Sequence, residues 1–263
     1  MPQRQPSFFI PHGGGPCFFM DDRGGTWTGM EAFLKRLPDR LPEPPKAILV
    51  VSGHWETDGF HFTGSEQPEL VFDYYGFPEH TYELRYDAPG SPVLAKQAAS
   101  LLKEAGLKAG VDEDRGFDHG VFIPLKVAFP DANIPVIEMS LDASLDPALH
   151  TAAGQALAPL RDDGVLILGS GMSFHNMRAY GDPGATAPSD EFDRWLTNAV
   201  EQPLTPRAEA LADWASAPSG RLSHPREEHL IPLMVAAGTS NEAGQGIYHE
   251  RVLETAISGF QFG

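Results

Sequence analysis

Cysteine, basic residues and long apolar runs are all scarce in this chain of 263 residues. Its one cysteine, Cys17, excludes an intrachain disulfide and a cysteine-rich zinc site. Only 19 lysines and arginines stand against 36 acidic residues, a net charge of −17, which argues against the phosphate neutralisation that nucleic-acid binding requires. No apolar segment approaches the ~20 residues of a membrane span, and the N-terminal stretch lacks the apolar run of a secretory signal. We therefore expect a cytoplasmic protein that binds neither nucleic acid nor membrane.

Apolar strand-like runs alternate with amphipathic helical segments along the chain. Strands are predicted at Phe8–Pro11, Ala47–Ser52, Ile134–Leu141 and Val165–Leu168, with a closing strand or strand pair at Gly246–Gln261. Helices are predicted at Thr28–Leu37, Pro92–Leu107, Val121–Phe129, Asp146–Arg161, Ser189–Val200, Arg207–Trp214 and Arg226–Gly238. This alternation predicts an α/β fold, with a central mostly parallel or mixed sheet and helices on both faces. We expect a single domain over residues 1–263.

Four histidines stand where apolar runs give way to glycine turns or to a helix start. They are His12 in FFIPHGGGP, His54 in AILVVSGHWET, His119 in RGFDHGVF and His175 in VLILGSGMSFHNM. In an open α/β sheet, ligands bind in the crevice at the carboxyl ends of the strands, so these imidazoles are expected to converge. Imidazole both ligates transition metals and transfers protons near neutral pH. The pattern therefore predicts a mononuclear metal enzyme.

The segment REEHLIPL offers a third metal ligand at the start of the predicted helix Arg226–Gly238, which Pro232 is expected to kink. Consecutive helical residues point about 100° apart, so only one of them can face a given centre. Glu227, Glu228 and His229 are therefore three alternatives for that ligand. His224, just before a proline, is expected to be a cap or a surface residue. The remaining histidines lie in polar or surface-like contexts and are assigned no role: His61, His80, His150 and His249.

The aromatic segment Phe72–Tyr86 predicts part of a pocket wall, because its rings offer stacking surfaces. Phe77 and Tyr82 are taken from it as candidate substrate-binding residues. Asn176 is a third candidate, since its amide can hydrogen-bond a ring nitrogen or a ligand. Packing of the aromatic segment onto the core is the alternative interpretation for each ring.

In their order along the chain, the motifs HGGGP, SGHW, GFDHG, GSGMSFHN and REEHLIPL resemble the DODA-type class III extradiol ring-cleaving dioxygenases. These enzymes are related to the catalytic subunit of protocatechuate 4,5-dioxygenase. The resemblance covers nearly the whole chain, including Gly76–Pro92. It implies a non-haem Fe(II) centre, with Zn(II) often bound in purified members. It also implies a small catecholic substrate and O2, which is inserted beside the diol to give a ring-opened semialdehyde.

The resemblance further implies a role for each histidine. The metal ligands would be His12, His54 and His229. His175 would be the active-site base close to the metal, or a further ligand. His119 would be the second acid/base and would contact the substrate. Because the wider superfamily uses two histidines and a glutamate, Glu228 stays a rival to His229.

Two other classes of function remain open at this point. A zinc-dependent hydrolase could use the same ligands to generate metal hydroxide, and it would need no O2. A non-catalytic binding protein on this fold would have no evident need for both His119 and His175 in addition to three ligands. The sequence does not distinguish among substituted catechols, fix the cleavage position, or separate a monomer from a homo-oligomer.

Overall fold

A single mixed sheet of eight strands runs through the part of the chain that the computed structural model describes, residues 3–21 and 24–263. Its strands are β1 (Ser7–Pro11), β2 (Ala47–Thr57), β3 (Phe60–Thr63), β4 (Ala109–Asp112), β5 (Val136–Asp142), β6 (Val165–Gly171), β7 (Gln245–Val252) and β8 (Thr255–Phe262). The order across the sheet is β4-β3-β5-β2-β6-β1-β8-β7.

Helices connect most of these strands. They are α1 (Thr28–Lys35), α2 (Pro92–Glu104), α3 (His119–Ala128), α4 (Pro147–Leu157), α5 (Thr186–Val200), α6 (Leu204–Ala212), α7 (Gly220–Ser223) and α8 (Ile231–Gly238). The predicted cap of α2 is confirmed, because the Ser91 side chain accepts a hydrogen bond from the backbone N–H of Leu94. Within the described ranges, no helix has both the length and the apolar character needed to cross a membrane.

The four central strands are parallel, as the sequence predicts. On β2, Val50 lies between Glu138 of β5 and Leu168 of β6, and β1 pairs in parallel with the other side of β6. Antiparallel pairing occurs farther out, where β8 joins β1 to β7 and β3 meets β5. The sheet is therefore mixed, and its parallel centre brings the carboxyl ends of β1, β2 and β6 to one edge.

Apolar side chains of the sheet are buried on both of its faces. Leu49 and Val51 belong to a core that includes residues of α2, α4, α5 and α8. Ile48 and Val50, which point the other way, pack in a second core with residues of α1 and α3. The predicted α/β class, with helices on both faces, is confirmed.

Two elements near the predicted site differ from the sequence prediction. β2 does not stop before the glycine-histidine pair but continues through His54 to Thr57, with a register irregularity between Val51 and Glu56. The last helix begins at Ile231 rather than Arg226, so Pro232 lies in its first turn. A proline there removes no helical hydrogen bond, and the expected kink was wrong.

Two histidines assigned to polar or surface contexts are in fact fully buried. His224 is 0% exposed and its Nε2 donates to the carbonyl oxygen of Ser173 at 2.9 Å. His150 is also 0% exposed, with its Nδ1 donating to the carbonyl of Asp146. The surface interpretation of both was wrong, because polar neighbours along the chain do not report which elements fold over a residue.

Candidate active site

Three histidine side chains converge where the central strands end. The Nε2 atom of His54 lies 3.2 Å from Nε2 of His12 and 3.2 Å from Nε2 of His229. Each ring offers one nitrogen, and these three atoms all lie within 4.8 Å of one another. Two more imidazoles stand beside them: the ring centroid of His119 is 4.0 Å from that of His54, and the His175 ring stacks on His229 at 3.4 Å.

Backbone packing at the end of β6 holds two of these histidines in place. The N–H of His12 donates to the carbonyl of Gly171 at 3.2 Å, and the carbonyl of His229 accepts from Met172 at 3.0 Å. A side chain at Gly171 would overlap that same His229 carbonyl. Gly53 similarly faces the carbonyl of Glu228, 2.9 Å from where a Cβ would lie. These two glycines let the turn that carries His229 approach the sheet edge.

The Nδ1 atom of each converging histidine faces a hydrogen-bond acceptor. Ser170 gives its hydroxyl proton to the Gly120 carbonyl, so its oxygen accepts from Nδ1 of His12 at 3.0 Å. Nδ1 of His229 donates to Glu228 Oε1 at 2.9 Å. Nδ1 of His54 lies 3.5 Å from Asp73 Oδ2. These acceptors favour the proton on Nδ1 of His12 and His229, and with the same tautomer in His54 the three Nε2 lone pairs face one another.

Such an arrangement of lone pairs calls for a cation between them. Burial, together with the neighbouring imidazoles, lowers the pKa of His12 and His229 well below the usual value, and it lowers the pKa of His54 to about 4. The rings are thus neutral, as metal ligands must be. Nitrogens bound to one ion at about 2.1 Å and about 90–110° apart lie about 3.0–3.4 Å from each other, which matches the spacing found. The residues therefore fit a metal ion.

Glu228 lies behind two of the histidines. Its Oε1 faces Nδ1 of His229 at 2.9 Å, on the ring side away from His54, and Nδ1 of His175 at 3.3 Å. Burial alone would raise the pKa of Glu228, but the hydrogen bonds from His175 and His229 outweigh it and lower the pKa. Arg226 Nη1 lies 3.5 Å from Oε2. The carboxylate is thus ionised and orients both rings.

Asp73 has the same position behind His119 and His54. It accepts from Nδ1 of His119 at 2.8 Å, which leaves Nε2 of His119 without the ring proton. Burial opposes ionisation of Asp73, yet the hydrogen bond from His119 and the charge of nearby imidazoles lower its pKa to about 2. Asp118, beside His119 in the sequence, instead accepts from Ser52 and pairs with Arg115.

A cavity of about 430 Å³ opens over the histidines. Its wall contains all five of them together with Gly13, Gly14, Gly15, Trp27, Tyr74, Tyr75, Phe77, Met177, Tyr180 and Leu253. Of the four residues predicted to contact the substrate, His119 and Phe77 line the cavity. Tyr82 lies one layer back, packed on Tyr74 at 5.2 Å between ring centroids. Asn176 donates to the Leu222 carbonyl and stabilises the local loop.

Several site residues escaped prediction from the sequence. Asp73 lies within the aromatic segment, but nothing in its neighbours marks it as a partner of two histidines. Ser170 lies in the GSG motif at the end of β6, and its position in the same segment as a histidine motif was a usable signal. Met177 and Leu253 come from segments far apart in sequence, so only the fold brings them to the cavity.

A larger cavity, about 710 Å³, lies between α5 and the β7–β8 pair and contains a serine, a histidine and an aspartate. Ser258 donates its proton to Asp193 at 2.6 Å, while Nδ1 of His249 lies 3.1 Å from the same hydroxyl oxygen. The serine proton is thus directed at the carboxylate rather than at the imidazole, unlike the arrangement that activates a nucleophilic serine.

Comparisons with known proteins agree with the site. The family described as the catalytic LigB subunit of aromatic ring-opening dioxygenase matches residues 7–261. The chain is 38% identical over 241 residues to the 4,5-DOPA dioxygenase extradiol of Beta vulgaris. That alignment covers 90% of this chain and 87% of the plant protein. The chain is also 37% identical over 262 residues to dioxygenase tasH of Hapsidospora irregularis, covering 90% and 78%. The crystal structure of an uncharacterized protein from Escherichia coli K12 matches with a TM-score of 0.78 and 29% identity, over 99% of this chain and 100% of that one.

The chain belongs to the LigB family of aromatic ring-opening dioxygenases, as a DODA-type class III extradiol enzyme. The resemblance seen in the sequence motifs is thereby confirmed. Membership accounts for a histidine cluster built to hold a metal at the carboxyl edge of the sheet.

Proposed function

We propose that this enzyme uses Fe(II) to open a catecholic ring beside its two hydroxyls, consuming O2 and releasing a ring-opened semialdehyde. The observation that carries the proposal is the convergence of three imidazoles, with Nε2 of His54 lying 3.2 Å from Nε2 of His12 and 3.2 Å from Nε2 of His229. The catecholic substrate class follows from the family and from the names of the relatives.

His12, His54 and His229 would hold the metal, with Glu228 behind His229 rather than in its place. Three protein ligands leave coordination positions free for a catechol and for O2 on the cavity side. When bound, Fe(II) supplies the electron transfer between the aromatic diol and O2 that redox-inert Zn(II) lacks.

His175 is suited to act as the base that removes a proton from the catechol. Its Nδ1 faces Glu228 Oε1 at 3.3 Å, so its Nε2 is the nitrogen left to accept a proton. The carboxylate then stabilises the imidazolium that forms, in the way an acidic partner supports a histidine base. This proton-transfer role is the one proposed; a further role as ligand would use the same Nε2 that accepts the proton.

His119 is suited to the second proton transfer, during cleavage of the ring. Its Nδ1 donates a hydrogen bond to Asp73 at 2.8 Å, and the His119 side chain also lines the cavity. Of the proposed substrate contacts, Phe77 offers its ring to the substrate directly. Tyr82 and Asn176 would act through the residues they support, Tyr74 and the loop after β6.

The decisive experiment is anaerobic reconstitution of metal-free enzyme with Fe(II) or Zn(II), followed by a panel of catechols that includes L-DOPA. We expect the Fe(II) enzyme to consume O2 one-to-one with substrate and to form a product with semialdehyde absorbance. The Zn(II) enzyme should bind catechol without cleaving it. Equal turnover with both metals, or turnover without O2, would contradict the proposal and favour metal-hydroxide hydrolysis.

A further inference from the structure

Three large apolar side chains are exposed at the mouth of the catalytic cavity. Tyr75 is 91% exposed, Met177 is 70% exposed and Leu253 is 40% exposed, and all three line the cavity. Among the described residues, only two other large apolar side chains are comparably exposed, Val93 and Leu222, and neither lines it. Exposed apolar groups gathered at one opening mark a binding surface.

Leu253 is held at the mouth by an unfavourable backbone conformation. It has φ +46° and the next residue, Glu254, has φ +66°, in the tight turn between β7 and β8. Two consecutive left-handed residues are normal for such a hairpin turn, but glycine and asparagine are the residues that usually supply them. A leucine there is strained, and strain of this kind is concentrated at functional positions.

Besides the histidines, the rest of the cavity wall consists of aromatic side chains and three glycines, and it carries no lysine or arginine among the described residues that line it. Apart from the five histidines, its polar side-chain atoms belong to tryptophan and tyrosine. One of these, the Tyr180 hydroxyl, already donates to the Phe174 carbonyl. The chain also carries a net charge of −17, which disfavours the approach of anions. Because the described lining offers no lysine or arginine side chain, a carboxylate on the substituent would lose its hydration without such a partner.

We propose that the substrate is a catechol with a bulky, uncharged, apolar substituent that packs on Tyr75, Met177 and Leu253 while the diol lies at the histidines. This inference rests on the proposed function, since it assumes a catechol at the cavity base. It makes Met177 and Leu253 specificity-determining residues of the mouth.

The first test compares dihydroxyphenylpropanoate with its methyl ester and with butylcatechol, which share the diol and differ in the charge of the side chain. With Fe(II) enzyme, we expect kcat/KM for the two neutral catechols to exceed that for the acid at least about tenfold, mainly through KM. Calorimetric titration of the Zn(II) enzyme should give the same order of affinities without turnover. An acid that is bound and cleaved as well as its ester would overturn the proposal.

The second test alters the mouth itself. Met177→Lys should reduce the preference for ester over acid by about threefold, the effect of one solvent-screened charge pair. Val93→Lys, which adds the same charge at an exposed apolar residue of α2, should leave the preference unchanged. An unchanged preference in Met177→Lys would contradict its assignment.

Leu253→Gly separates a binding role from a structural one. Glycine accepts the left-handed conformation without penalty, so the melting temperature should be equal or higher. KM for butylcatechol should nevertheless rise about threefold or more, because an apolar contact is lost. A lowered melting temperature with unchanged KM would show that Leu253 serves the hairpin instead.

The failure of this proposal is distinguishable from failure of the proposed function. If no catechol is cleaved by the Fe(II) enzyme, the dioxygenase function is contradicted. Affinities of the Zn(II) enzyme for acid and ester still decide whether the mouth selects uncharged substituents.

Discussion

Asp73 accepts two hydrogen bonds from His119, one from the ring Nδ1 at 2.8 Å and one from the backbone N–H at 3.0 Å. Its second oxygen lies 3.5 Å from Nδ1 of His54. One carboxylate from the aromatic segment therefore fixes the start of α3, the tautomer of a proposed acid/base and the orientation of a proposed ligand. Partners of this kind, one step behind the reacting groups, influence a metal site almost as strongly as the ligands do.

Asp73→Asn should lower turnover or metal affinity by about 10- to 100-fold, since the amide loses the charge and can turn its N–H2 toward a ring nitrogen. Metal content and kcat would be measured on the same preparation. Asp87→Asn is the matched control, because Asp87 is exposed and pairs with Arg85, away from the histidines. If Asp73→Asn keeps the metal content and kcat of the wild type, then the hydrogen bonds from His119 to the Asp73 carboxylate contribute neither to metal binding nor to catalysis.

The sequence was sufficient to predict the central strands, because β1, β2 and β6 contain apolar runs that lead into glycines. It was also sufficient to predict that His12, His54, His119 and His175 lie close together, since the carboxyl ends of parallel strands lie at the same edge of a sheet. It could not predict that Asp73 joins two of them, because a loop residue finds its partner only after the chain folds. The same limit applies to Leu253, whose position depends on a hairpin at the far edge of the sheet.

Replacement of a ligand by alanine should remove the metal. His12→Ala, His54→Ala and His229→Ala are each expected to retain little metal by elemental analysis while keeping the far-ultraviolet circular dichroism of the wild type. His249→Ala serves as the control and should bind metal normally, because His249 lies on the edge strand β7 and does not line the histidine cavity. Stoichiometric metal in His54→Ala would contradict the assignment.

The rivalry between Glu228 and His229 is decided by the same measurement. Glu228→Gln should weaken metal binding by about 10- to 100-fold, since Oε1 orients two rings but is not itself a ligand. His229→Ala should have the larger effect. The reverse order, with metal lost in Glu228→Gln and kept in His229→Ala, would make the carboxylate the third ligand.

The two proton-transfer histidines should differ from the ligands by keeping metal while losing rate. His175→Ala and His119→Ala are each expected to lower turnover by about 10²–10⁴-fold, the usual contribution of general acid–base catalysis. His175→Ala should also weaken formation of the anaerobic catecholate complex, seen in its optical spectrum. His119→Ala should mainly slow steps after O2 binds, measured in single turnovers. If His175→Ala loses metal as fully as His12→Ala, then His175 is primarily a ligand.

His224 should make the fold sensitive to acid independently of the active site. It lies fully buried between Phe192 and Trp214, and its Nε2 donates to the Ser173 carbonyl. Its Nδ1 has no hydrogen-bond partner among the residues that the structure describes. Burial lowers its pKa to about 4, against about 6.5 in an unfolded chain. At a pH between these two pKa values, His224 is protonated in the unfolded chain and neutral in the folded chain. The free energy of unfolding therefore falls as the pH decreases through this range. The loss in free energy of unfolding attributable to His224 between pH 8 and pH 5 is about 2 kcal/mol.

His224→Gln retains a donor for the Ser173 carbonyl but cannot titrate, so urea unfolding of metal-free protein should show a pH-dependent loss of stability smaller by about that amount. Equal losses in wild type and variant would mean that the folded protein accommodates the protonated ring.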